Sequence, residues 1–425
     1  MNNHLKVLSV NFSDSYGGAS RAAYRIHCAV RTTGGNSRML VKNKALNDSS
    51  VIGIDTFKKN DIISRVHNLL NNKIENKLQK ARWIQYPNRE NDFMSDLRSE
   101  SINGAFLNLE FDVLHLHWIN LRFIDLEKLG KVNKPIIWTL HDSWAFTGVC
   151  HYFNECDKYL QTCGNCPLLH SDIENDLSRK IWKKKNQVFS KLNLHIVTPS
   201  QWLADAAKKS TLLSRFPVTV IPNCLDTDVY CPIDKVESDL NSDDVHKRKK
   251  ILFGAINATT DKRKGFHKLL EAIIYIEKTK YADTVEFYVF GSNKPICELQ
   301  TSIPVHYLGH LILDNEMVTA YNNADVMVVP SIWEVFGQTA SEAMSCGIPT
   351  VAFNTSGLKE IIDHKVNGYL AETFNAEDLA KGIIWCLENN FENVLSIAAR
   401  EKVVDNFGME KVAKNYRELY EEVIK

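Results

Sequence analysis

The sequence predicts a two-domain α/β protein in which parallel sheets are covered by helices on both faces. Three observations predict it. Short β-branched runs alternate with stretches of helical periodicity, the pattern of strand, crossover and parallel strand. The alternation is built twice along the chain. At 425 residues the chain is also too long for one compact core, so two domains of about 200 residues each are expected.

In the first half, strands are expected at residues 5–12 (LKVLSVNF), 37–42 (SRMLVK), 112–117 (DVLHLH), 135–141 (PIIWTLH), 195–199 (HIVTP) and 218–222 (VTVIP). In the second half they are expected at 250–256 (KILFGAI), 285–291 (VEFYVFG), 305–309 (VHYLG), 325–331 (DVMVVPS) and 349–353 (PTVAF). Residues 224–250 are polar, charged and poor in apolar side chains, which reads as a linker. With the boundary near residue 240, the domains are 1–240 and 241–407. Residues 408–425, with Val412, Tyr416, Leu419, Tyr420 and Val423 at helical spacing, form a terminal helix that could cross back to the first domain. Residues 43–93 are long for a loop and carry a helical pattern at Ile62, Val66, Leu69, Leu70 and Ile74, so they read as a functional insertion.

Composition removes several classes of function. The 51 basic and 51 acidic residues cancel, so no global field favours nucleic acid. The ten cysteines are irregularly spaced and read mostly as reduced thiols. The opening MNNHLKVLSVNF shows no basic leader followed by an apolar run, and no stretch reaches the roughly 18 apolar residues of a membrane span. A cytoplasmic protein is expected.

The chemistry concentrates in the second half. Ligands of open α/β sheets bind beyond the carboxyl ends of the strands, where N–H groups at helix starts receive anions. The stretch DVMVVPS ends such a strand, residues 333–337 make the turn, and QTASEAMSC starts a helix. Gly337 permits close backbone approach, and the N–H groups of Gly337, Gln338 and Thr339 would face a phosphate. Glu334, in the loop, can accept from hydroxyls beyond the phosphate, and Glu342, on the helix, can accept a ribose diol. Two carboxylates would repel an anion unless a cation intervenes, and TTDKRKG supplies Lys262, Arg263 and Lys264 after the first strand of this half. Taken singly, each of these residues reads equally as a solvated helix-start charge or a surface turn. Their recurrence at successive strand ends is what favours a nucleotide-sugar site.

These residues resemble the retaining, nucleotide-sugar-dependent glycosyltransferases of family 4. The resemblance rests on Glu334 and Glu342 separated by seven residues, on GIPTVAFNTSGLKEIIDHKVNGYL (347–370), and on YLGHLILDNEMVTAYNNADVMVVPS upstream. It implies the GT-B architecture, two Rossmann-like domains with parallel sheets facing across a cleft. It also implies that Glu334 contacts donor sugar hydroxyls, that Glu342 contacts the ribose, and that Phe336, Gly337, Gln338 and Thr339 line the phosphate and sugar site. Lys264 matches the family's diphosphate-binding lysine. Where many members carry an arginine a few residues earlier, this chain reads GAINATTDK, with Arg263 as the substitute.

In the first half, DSYGGASRAAYRI resembles the family's glycine-rich loop, with Gly17 and Gly18 approaching the donor phosphate and acceptor. In TLHDSWAFTGVCHY, His141 matches the active-site histidine, and Asp142 orients it or caps the next turn. The implied reaction moves a hexose-type unit from a UDP- or GDP-sugar to an acceptor hydroxyl with retention of configuration. A lipid-linked glycan of bacterial surface polysaccharide is the expected acceptor, and Lys264 with helix-start N–H groups would assist the leaving diphosphate without a required metal. A nucleotide-sugar epimerase or hydrolase on this architecture, and a binding module that has lost catalysis, are the competing readings.

Cys150, Cys156, Cys163 and Cys166 fall within seventeen residues and could hold a structural zinc; free thiols and disulfides are the other readings. Residues 178–191 place Arg179, Lys180, Lys183, Lys184, Lys185 and Lys191 around Trp182 and Phe189, a candidate contact with an anionic membrane surface or a solvated basic helix.

Overall fold

The computed structural model describes residues 5–57, 77, 84–90, 105–121, 123–233, 248–295 and 300–425. The helical pattern expected between Ile62 and Ile74 and part of the polar linker lie outside them. Two compact units form: Met1–Ile221 with Ala413–Lys425, and Pro222–Val412.

In the first unit the order is β1 (Lys6–Ser13), α1 (Gly18–Thr32), β2 (Asn36–Asn43), β3 (Val51–Gly53), β4 (Val113–Leu116), α2 (Leu126–Leu129), β5 (Ile136–Thr139), α3 (Leu177–Phe189), β6 (Leu194–Thr198), α4 (Gln201–Lys209) and β7 (Val218–Val220). Strand order is β3-β2-β1-β4-β5-β6-β7, and every pairing is parallel. The chain leaves β1 in one direction to β2 and β3, then returns to the other side at β4. The sheet therefore has a switch point between β1 and β4. β4, β5 and β6 are buried along their length, as strands covered on both faces must be.

The second unit runs β8 (Lys249–Gly254), α5 (Phe266–Glu277), β9 (Val285–Phe290), β10 (Val305–Gly309), α6 (Asp314–Asn322), β11 (Val326–Val329), α7 (Gln338–Ser345), β12 (Thr350–Phe353), α8 (Leu358–Ile361), β13 (Gly368–Ala371), α9 (Ala376–Asn389) and α10 (Val394–Phe407). Its order, β10-β9-β8-β11-β12-β13, repeats the first unit's pattern and puts the switch point between β8 and β11. Side-chain alternation divides its core in two. Leu252, Met327, Val329 and Ala352 face α6, α7, α8 and α10, while Ile251, Phe253, Val326, Val328, Val351 and Phe353 face α5 and α9. α11 (Met409–Val423) follows Gly408, and its residues from Ala413 onward belong to the first unit.

All eleven expected strands are present. β3 and β13 are additional; each is an edge strand of three or four residues, too short for alternation to register.

Candidate functional site

Of the residues singled out in the second half, Lys264 and Glu334 meet at the β8/β11 switch point. Asp261 caps the short turn Lys262–Lys264, its side chain accepting from the N–H of Arg263 at 3.0 Å. That turn delivers Lys264 Nζ to 2.6 Å from Glu334 Oε1, and Ser331 Oγ donates to the same oxygen at 3.1 Å. Lys264 comes from the loop after β8 and Glu334 from the loop after β11, so the pair closes the switch point from its two sides. The N–H of Ile332 donates to the carbonyl of Arg263 at 2.8 Å, tying the two loops through backbone. Arg263 itself turns its guanidinium to Asp261 at 2.5 Å.

α7 begins one residue past Gly337, which has φ 108° and caps the helix without a side-chain hydrogen bond. A Cβ on Gly337 would approach Leu358 Cδ2 to 2.6 Å, so both conformation and packing require glycine there. Gln338 and Thr339 are half-buried at the helix start. Glu342 stands apart from Glu334: it is 2% exposed and accepts from the hydroxyl of Tyr321 at 2.8 Å. Phe336 packs in the core with its ring edge-on to Phe407.

In the first unit the expected residues again lie at the carboxyl ends of the strands. Asp14, buried after β1, accepts from the N–H groups of Ala45 and Leu46 and holds the glycine loop. Gly17 has φ 90° with nothing within 4 Å of where a Cβ would stand, so the left-handed backbone alone calls for glycine. Asn11 Oδ1 accepts from the N–H of Trp118 at 2.9 Å, joining the ends of β1 and β4.

His141, half-buried beyond β5, has His117 as its partner: His117 Nδ1 lies 3.0 Å from His141 Nε2, with the rings stacked. Burial lowers His141 to about 4, with Asp142 opposing, so the imidazole is neutral at physiological pH. Asp142 caps the following turn through the N–H of Trp144 at 2.9 Å and binds Trp118 Nε1 at 2.7 Å and His151 Nδ1 at 2.5 Å. Burial alone would raise its carboxyl; the charge and hydrogen bond of His151, with the Trp144 and Trp118 donors, outweigh that and hold it below the usual range. His117, Trp118, His151 and Tyr321 were missed by sequence reasoning. The alternating histidines of HLHW, which put two imidazoles on one strand face, were a signal for the first.

Two family models match complementary parts of the chain. Residues 72–229 match Glycosyltransferase Family 4, and residues 240–402 match Glycosyl transferases group 1. The chain belongs to the group 1 glycosyltransferases. This glycosyltransferase is 26% identical over 264 residues to a putative colanic acid biosynthesis glycosyl transferase, WcaC, of Escherichia coli K12, covering 60% of this chain and 61% of that one. It is 23% identical over 231 residues to the UDP-Gal:alpha-D-GlcNAc-diphosphoundecaprenol alpha-1,3-galactosyltransferase of Escherichia coli, covering 51% of this chain and 57% of the relative. Against solved structures, it superposes on Anabaena HepE, crystallised with UDP and glucose, with TM-score 0.61, 17% identity and coverage of 98% and 100%. The fold is GT-B, two parallel-sheet Rossmann-like units.

The zinc reading of the glycosyltransferase's cysteines is corrected. Among the described residues no group of three or more His, Cys, Asp or Glu side chains is arranged to hold a metal ion. Cys150 and Cys166 pack as small apolar residues with Tyr86, Val149, Leu169, Leu177 and Ile181, and Cys163 Sγ accepts from the N–H of Gly148 at 3.2 Å. Burial pushes the Cys163 and Cys166 thiols up to about 11, so both are protonated; Cys156 is a half-buried free thiol.

The basic helix is corrected in part. Phe189 and Lys185 point inward, and Lys185, fully buried, donates to the carbonyls of Trp144, Thr147 and Gly148 with its Nζ 3.5 Å from the Trp144 ring centre. It pins the loop that follows His141. Lys180, Lys183 and Lys191 are exposed, whereas Lys184 pairs with Glu127 at 3.1 Å and Arg179 with Glu174 at 3.0 Å. No helix among the described residues is long and apolar enough to cross a membrane.

Proposed function

We propose that the chain transfers a hexose-type unit from a nucleoside diphosphate sugar to an acceptor hydroxyl with retention of configuration. The observation that carries this reading is the Lys264–Glu334 pair at the β8/β11 switch point, beside the glycine-capped start of α7. On donor binding, Lys264 and the α7 N–H groups of Gly337, Gln338 and Thr339 hold the diphosphate and stabilise its charge as it leaves. Glu334 accepts from sugar hydroxyls, and Glu342 takes the ribose with carboxylate capacity beyond the Tyr321 bond. Arg263, in the same turn as Lys264 and paired with Asp261, is the further donor-side contact.

Gly17, Gly18 and His141 are the first unit's candidate ligand contacts, with Asp142 fixing the loop. No residue among these is placed as a covalent nucleophile, so the leaving phosphate assists the incoming hydroxyl on the same face. Glycosyltransferases of this group need no cofactor.

The acceptor is a lipid-linked glycan of bacterial surface polysaccharide. Support comes from the two Escherichia coli relatives, one named for colanic acid biosynthesis and one for a diphosphoundecaprenol acceptor. The exposed cations Lys180, Lys183 and Lys191 would meet the anionic surface of a cytoplasmic membrane face. UDP is the favoured donor base, since Anabaena HepE carries UDP.

The test is a screen of UDP-, GDP- and ADP-sugars by thermal stabilisation and product mass, with the product anomer read by NMR. One donor is expected to stabilise the protein, and Glu334→Ala and Lys264→Ala are each expected to lose roughly 10²–10³-fold in turnover with the fold intact. Full activity in either variant would overturn the assignment, and an inverted anomer would overturn retention.

A further inference from the structure

His117 and His141 share one hydrogen bond, and its direction decides what His141 can do. The 3.0 Å separation between His117 Nδ1 and His141 Nε2 leaves room for one proton. Either His117 donates and His141 accepts, or the reverse. Burial lowers both rings, His141 to about 4 and His117 well below its ordinary value, so each carries a single proton at neutral pH.

The other end of His117 settles the choice. Its Nε2 is buried and has no hydrogen-bond partner among the described residues. If His141 donated, the only proton of His117 would sit on that Nε2 as an orphaned buried donor. If His117 donates from Nδ1, Nε2 is a bare lone pair. Orphaned buried N–H groups are the rarer and costlier case. The second arrangement therefore prevails, and it obliges His141 to carry its own proton on Nδ1.

The ring of His117 is held for this task. Its backbone N–H donates to the carbonyl of Val10 at 3.0 Å, and its carbonyl accepts from Trp138 Nε1 at 2.9 Å. His115 lies against it with ring centres 4.1 Å apart, and is itself fixed by Tyr420 Oη and Thr139 Oγ1, each at 2.8 Å.

We propose that His117 is a positioning residue that locks His141 in the Nδ1–H tautomer, so that His141 meets its ligand as a hydrogen-bond donor and not as a general base. The inference deepens the proposed function, because it rests on His141 touching the donor sugar. A donor imidazole can hold a sugar hydroxyl or phosphoryl oxygen, and the proton of the incoming acceptor must then go to the leaving phosphate.

The tautomer is read directly on the full-length chain, labelled with ¹⁵N-histidine and without substrate, by long-range ¹H–¹⁵N correlation, with His141 assigned by its loss in His141→Asn. The expected result is a protonated Nδ1 and a bare Nε2 at His141; the opposite tautomer would overturn the inference. The second arm is kinetic. His117→Leu removes the donor and is expected to lower kcat roughly 10–100-fold with little change in donor KM, the scale of a lost supporting hydrogen bond. His117→Asn can place an amide donor where Nδ1 stood and is expected to restore most of the rate. Equal loss in both variants would overturn the positioning role. Because the spectrum needs no substrate, absence of any glycosyl transfer would sink the proposed function while leaving the tautomer standing. An Nε2–H tautomer in an active enzyme would sink this inference alone.

Discussion

Glu334 and Glu342 are the same side chain in two environments. Glu334 is about one-fifth exposed and pairs with Lys264. Glu342 is buried at 2% exposure against the Tyr321 hydroxyl, in a core with Met344 and Ala340. Removing the carboxylate leaves that hydroxyl without its acceptor, at a cost of about 1–3 kcal/mol. Glu342→Ala is therefore expected to lower the urea midpoint of the second unit as well as donor affinity, whereas Glu334→Ala leaves the midpoint unchanged. In the Tyr321→Phe background the stability cost of Glu342→Ala should shrink, which a double-mutant cycle measures. Equal midpoints for Glu342→Ala and the parent would show that the Tyr321 bond contributes no stability. The separation of these two roles was not legible in the sequence, since the seven-residue spacing describes both carboxylates equally.

At the scale of elements, the loops that carry the candidate site are tied to each other and to the neighbouring strand ends. Gly265 shows how tightly. It has φ 74°, and a Cβ there would lie 1.8 Å from the carbonyl oxygen of Pro330, at the end of the neighbouring strand. Gly265→Ala must push the β8 and β11 loops apart and is expected to cost more than about 2 kcal/mol. It should also weaken donor binding by separating Lys264 from Glu334, and calorimetry of unfolding and of donor binding measures the two effects. A variant of parental stability would show that the loops yield freely. Strand and loop placement was legible because β-branched runs and turn residues are local signals. The inward turn of Lys185 in α3 was not, because a lysine among lysines reads as solvated until the carbonyls of residues 144–148 close around it.

On the scale of the whole molecule, the first unit stores a pH response in its buried histidines. Burial lowers His27 to about 4 and His115 to about 3, and His117 lies well below 6.5. The sign follows from linkage. Above pH 6.5 the rings are neutral in folded and unfolded chains, and stability is full. Between about 6.5 and 4 the unfolded chain binds protons that the folded unit refuses, so stability falls as pH falls, by up to about 1.4 kcal/mol per pH unit for each ring. The unfolding temperature of the first unit is expected to be level from pH 8 to 7 and to drop several degrees by pH 5, as scanning calorimetry would record. A level profile through pH 5 would show that these rings protonate inside the fold.

The same histidines mark the boundary between what sequence and structure decide. By itself the sequence determined the repeated parallel α/β pattern, all eleven strands it proposed, and the loops after β8 and β11 where Lys264 and Glu334 meet. Those features depend on periodicity and turn chemistry within a few residues. Only the tertiary structure decided that His141 pairs with His117, that Tyr420 reaches His115 across 305 positions, and that the cysteines pack as core residues. Burial and pairing are properties of whichever distant segments the fold brings together, and no local pattern encodes them.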